Sequence, residues 1–130
     1  MSSPSNTITL LRALPCAIYL ALVGFYSLQP QAEMPQNISD KIVHLTVYAG
    51  AALLWGWAAA NRRALLLALP VLITYGVGLE IAQGFTPDRT PSALDALANS
   101  LGVVLGLSAF LLLQRSHVVR RVLLFPEYLK

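Results

Sequence analysis

Four stretches of this chain, 8–28, 42–60, 64–82 and 92–113, are apolar over nearly the whole of a bilayer-spanning length. A helix rising ~1.5 Å per residue needs ~20 residues to cross ~30 Å of hydrocarbon. The breakers fall between the stretches: Pro30, Pro35 and Asn37, then the Asn61-Arg62-Arg63 turn, then Pro87-Asp88-Arg89-Thr90-Pro91. With 130 residues there is room for one membrane domain and no second one. The charged fraction of 12% is about half that of an ordinary soluble domain. The expected fold is therefore all-α, a polytopic bundle of four transmembrane helices. The tail 114–130 is expected to follow as a basic cytoplasmic segment carrying a short interfacial helix, which mixes Arg115, Arg120, Arg121 and Lys130 with Val118, Val122, Leu123 and Phe125.

A signal peptide is the competing account of the first stretch, because Arg12 precedes an apolar run that ends before Pro30-Gln31-Ala32. The run is long for such a segment and the proline fits the cleavage site poorly, so it is read as a helix adjusted near Pro15. Cys16, the single cysteine, lies within it and is read as packing.

Charge sets the expected orientation. If the chain starts inside and alternates sides, the inner face holds Arg12, Arg62, Arg63, Arg115, Arg120, Arg121 and Lys130 against Glu127, a net of +6. The outer face holds Lys41 and Arg89 against Glu33, Asp40, Glu80, Asp88 and Asp95, a net of −3. This asymmetry is what the positive-inside rule asks of one fixed topology, with both termini in the cytoplasm. The basic excess then reflects orientation, with membrane lipids as partners and no nucleic acid.

The chemically capable side chains fall toward the outer face. Asp40, His44 and Tyr48 are spaced by four, so they form one helical stripe running inward by ~6 Å per step. Glu80 and Gln83 lie one turn apart at the end of the third stretch, Asp95 and Asn99 one turn apart at the start of the fourth, and Arg89 sits in the loop between. Asp40 and Asp95 occupy first helical turns, where a carboxylate is favoured for capping alone, and Ser92 with Asp95 reads as an S-x-x-D cap. Glu80 is at the disfavoured end of its helix, which points to function or an obligatory ion pair, with Arg89, Lys41 and His44 as available partners. Gly102 and Gly106 form a small-x-x-x-small ridge for helix packing, Gly76 and Gly78 are further close-approach points, and Trp55 and Trp57 read as belt anchors.

Three patterns occur in order between Ser39 and Gly106: Ser39-Asp40-Lys41 with His44 and Tyr48; Glu80-Ile81-Ala82-Gln83 with Phe85, Pro87 and Arg89; and Ser92, Asp95, Asn99, Gly102 and Gly106. Together they resemble the VanZ-like family of small bacterial membrane proteins. The resemblance implies a multi-pass cell-envelope protein, in a family named for glycopeptide antibiotic resistance, and supplies no established reaction.

Three functions stay open. In an enzyme acting on a lipid-linked envelope intermediate, His44 or Glu80 is the general base. Asp40 and Asp95 are orienters or divalent-metal ligands, and Arg89 with Lys41 holds a phosphate. Asp95 completes the candidate catalytic set of His44, Glu80 and Asp95. Asp40, Lys41, Tyr48, Gln83, Arg89 and Asn99 make the binding set. A non-catalytic module would use the same cluster to recognise a headgroup, a glycopeptide or a partner protein. A proton-coupled carrier would use Glu80 and His44 as a relay, but the fixed charge asymmetry disfavours it. No HExxH zinc motif is present, and neither the cofactor, the metal nor the oligomeric state is specified by the sequence.

Overall fold

Long apolar runs, broken around Pro30 and Pro35, at Asn61 and between Pro87 and Pro91, produce four helices in the computed structural model, which describes residues 4–29, 39–59, 61–87 and 89–116. They are α1 (Pro4–Ser27), α2 (Asp40–Ala58), α3 (Arg62–Gln83) and α4 (Ala93–Leu113), and no strand occurs among the described residues. The expected helix bounds hold within a few residues. The expected interfacial helix of the tail falls mostly on 117–130, outside the described residues.

Local chemistry explains where the helices start. The side chain of Asn61 accepts a hydrogen bond from the Ala64 backbone N–H at 2.9 Å, so Arg62 and Arg63 become the first turn of α3 rather than a turn before it. Ser92 caps α4 in the same way, its Oγ accepting from Asp95 N–H at 3.3 Å, as the S-x-x-D pattern predicts. Ser39 precedes α2 without a side-chain cap, leaving Asp40 in the first turn to face the positive helix end. Pro15 and Pro70 lie inside α1 and α3.

Three helices, α1, α3 and α4, are long and apolar enough to cross a membrane. α2 is not among them, because Asp40, Lys41 and His44 occupy its first turns. The outward faces agree with a lipid environment: Leu11, Leu66, Ile81, Leu97 and Leu112 are all more than half exposed.

The tightest seam joins α2 to α4. A Cβ placed on Gly102 would collide with the Leu45 carbonyl, and one on Gly106 with the Ala49 carbonyl, so the two backbones meet where only glycine fits. Gly76 gives a similar close approach, with the Tyr48 ring at 3.0 Å from such a Cβ, whereas Gly78 has nothing within 4 Å and is no close-approach point among the described residues. Tyr48, Ala51, Ala52, Ala68, Leu72 and Val103 form the buried core beneath. α1 docks differently, through tyrosines: Tyr19 Oη donates to the Val47 carbonyl at 3.0 Å and Tyr75 Oη to the Leu20 carbonyl at 2.6 Å. At the end of the bundle where α2 gives way to α3, Trp55 Nε1 donates to the Ala64 carbonyl at 2.8 Å, so this indole also pins the α2–α3 corner.

Candidate functional site

The start of α2, the end of α3 and the start of α4 meet at one end of the bundle, and His44 stands at their centre. Its Nδ1 lies 3.0 Å from Asn99 Oδ1 and 3.9 Å from Glu80 Oε1. Both neighbours are acceptors, an arrangement that a proton on Nδ1 satisfies. The other ring nitrogen, Nε2, faces Asp40 Oδ1 at 3.8 Å. In the neutral ring Nε2 then presents a lone pair on the Asp40 side, which is the arrangement of a general base or a ligand.

Glu80 is buried, and its carboxylate has two partners: Oε2 accepts the Ser92 backbone N–H at 3.0 Å, while Oε1 is the one near His44. A carboxylate opposed by its own helix end is thus stabilised by the capping residue of the next helix. Asp95 approaches Lys41, Oδ1 to Nζ at 3.6 Å, with the ammonium side chain 51% exposed and the carboxylate side chain 12%. Lys41 is therefore engaged with Asp95. Gln83 donates from Nε2 to the Ser27 carbonyl at 2.9 Å and ties the end of α3 to that of α1.

Two cavities open on this cluster. A smaller, mostly polar one of about 180 Å³ is lined by Asp40, His44, Gln83, Arg89, Thr90, Ser92 and Asp95. A larger, mostly apolar one of about 360 Å³ lies between α1 and α2, its walls including Leu22, Val23, Val43 and Val47. Asp40, His44, Gln83 and Arg89 line both, so the polar recess and the apolar groove share a wall.

All nine sequence-derived site residues therefore lie at this end, in different positions. Asp40, His44, Gln83, Arg89 and Asp95 line a cavity, and Tyr48 lines the larger one. Glu80, Asn99 and Lys41 line neither of these two; Glu80 and Asn99 stand behind His44 and set its ring. Tyr19, Leu22, Val23, Tyr26 and Ser27 of α1 also line the larger cavity and have no sequence signal, because a residue in an apolar helix carries no mark of which face lines a groove. Ser92 was read as a cap, and its backbone contact with Glu80 has no side-chain signal.

Three buried polar atoms at this end have no hydrogen-bond partner: Arg89 Nε, Tyr48 Oη and Asp95 Oδ1. Arg89 and Tyr48 line the larger cavity, and Arg89 and Asp95 the smaller.

Four helices with apolar outer faces, gathered around a polar cluster at one end, define a helical membrane protein. A family model described as VanZ/LLP1 matches residues 4–114, nearly the whole described chain, and the protein belongs to that family. No curated protein and no solved structure matches it.

Proposed function

We propose that this VanZ-family protein holds the phosphate-bearing headgroup of an envelope lipid in the polar recess, with the first part of the lipid chain in the groove between α1 and α2. The observation that carries this reading is the buried Arg89 Nε–H, left without an acceptor on a residue that lines both cavities. Buried donors are almost always paired, and leaving one unpaired costs ~1–3 kcal/mol. An anionic oxygen at the junction would pair it, and guanidinium is the side chain suited to phosphate. The larger cavity falls within the ~300–1,000 Å³ of small-molecule sites, and its apolar walls suit an acyl or isoprenoid chain.

In this reading all four helices cross the bilayer, the site faces outward and both termini are cytoplasmic in a bacterial inner membrane. The +6 against −3 distribution of charge supports that orientation. His44 contributes a lone pair at Nε2 beside the headgroup, and Glu80 with Asn99 keeps its ring in place.

Purified protein titrated with a polyprenyl phosphate and, separately, with the matching polyprenol, followed by native mass spectrometry, tests the reading. The phosphate is expected to bind and the alcohol not, with Arg89→Gln weakening the phosphate about 10-fold, the equivalent of one charged hydrogen bond. Equal binding of alcohol and phosphate would remove the headgroup from the account.

A further inference from the structure

The same end of the bundle holds an opposite imbalance. Asp95 is 9% exposed, its Oδ1 is buried without a hydrogen-bond donor, and its nearest cation, Lys41 Nζ, stays at 3.6 Å. Across the recess His44 Nε2 faces Asp40 Oδ1 at 3.8 Å. With a ring proton at Nδ1 toward Asn99 and Glu80, the neutral ring turns its Nε2 lone pair toward a carboxylate, a pairing that a cation between the two, a proton or a metal ion, makes favourable. The first-turn positions of Asp40 and Asp95 relieve little of this, since a helix end contributes only ~0.3–1 kcal/mol.

One ligand atom from each of Asp40, His44 and Asp95 lies within 4.8 Å of the other two. We propose that these three side chains bind a divalent cation of the Zn²⁺ or Mn²⁺ class. One imidazole nitrogen and two carboxylate oxygens suit such borderline ions, and three protein ligands leave positions open toward the recess. Ligand distances of about 2.0–2.2 Å set tetrahedral donor separations near ~3.4 Å, so the donors must draw together by about an ångström. Asp40, with a side chain 40% exposed, has the freedom to do so. Asn99 and Glu80 then act as the outer partners that hold the ligating imidazole. Lys41 is a competitor: its ammonium occupies the side of Asp95 that the ion would neutralise. The ion site stands on the convergence of Asp40, His44 and Asp95, and the lipid site on the buried Arg89 donor, so each is open to refutation without the other.

Full-length protein in detergent, stripped with chelator and without added lipid, is titrated with Mn²⁺ by electron paramagnetic resonance and with Zn²⁺ by calorimetry. Saturable binding of one ion per chain is expected. Loss of even an outer partner costs ~10–100-fold in affinity, so Asp95→Asn, Asp40→Asn and His44→Gln should each weaken binding at least about 10-fold. Nitrogen coupling in the Mn²⁺ spectrum should disappear in His44→Gln. Lys41→Met should tighten binding, a direction that no loss of folding can imitate. Absence of saturable binding in the unaltered protein, its persistence in all three ligand variants, or weakening in a folded Lys41→Met protein would each overturn the site. Polyprenyl phosphate binding measured in excess chelator reports separately on the lipid reading.

Discussion

The two sides of α2 are built by different rules. Toward α4 the helix presents main-chain carbonyls to Gly102 and Gly106, with no space for a methyl group. Toward α1 it presents the Val47 carbonyl to a tyrosine hydroxyl at 3.0 Å and leaves a cavity of about 360 Å³. Glycine seams fix a position by steric exclusion, whereas a long side chain reaching across a gap fixes it by one directional bond. The contrast teaches that α2 and α4 form a fixed platform carrying Asp40, His44, Asp95 and Asn99, and that α1 is the adjustable wall of the groove.

The sharpest attempt to break this contrast is Gly102→Ala. Its methyl would meet the Leu45 carbonyl, and overpacking of that kind costs typically ~1–3 kcal/mol. Thermal unfolding in detergent should show the largest loss of any substitution named here; an unchanged midpoint would mean that the platform gives way. Glu80→Gln should come next. It removes the charge from the hydrogen bond to Ser92 N–H, about 1–2 kcal/mol, while the protein still reaches the membrane. Tyr75→Phe should cost about 1 kcal/mol by removing the hydroxyl bond to Leu20, and should also change how tightly the groove holds a polyprenyl phosphate, because it frees α1. If Tyr75→Phe matched Gly102→Ala in cost, the distinction between platform and wall would fail. Gly78→Ala should cost nothing, since its methyl meets no atom within 4 Å. Orientation has its own check: in a Cys16→Ala background, a reagent confined to the outside should label Asp88→Cys and spare Arg62→Cys, and the reverse would invert the proposed topology.

Helix existence and extent were legible because apolar runs and breakers are properties of the chain itself. So was the stripe of Asp40, His44 and Tyr48, which helix geometry dictates. Which faces meet was not legible. Nothing in the spacing says that His44 turns to Asn99, or that Lys41 reaches Asp95. Glu80 illustrates the boundary: its position at the wrong helix end announced an obligatory partner, but that partner is a backbone N–H of Ser92 together with His44, and backbone groups carry no sequence label. The groove on α1 was invisible for a related reason, since a leucine facing a cavity and one facing lipid are the same letter.

The polar first turns of α2 also bear on biogenesis. α2 alone is not apolar enough to rank with the other three helices as a membrane span, yet it supplies Asp40 and His44. In the proposed four-span topology its residence in the bilayer depends on a helix synthesised later, because the glycine seam that grips it belongs to α4. A nascent chain that has not yet released α4 would hold α2 only loosely, and the polar recess would come into being last, at the moment the final helix enters.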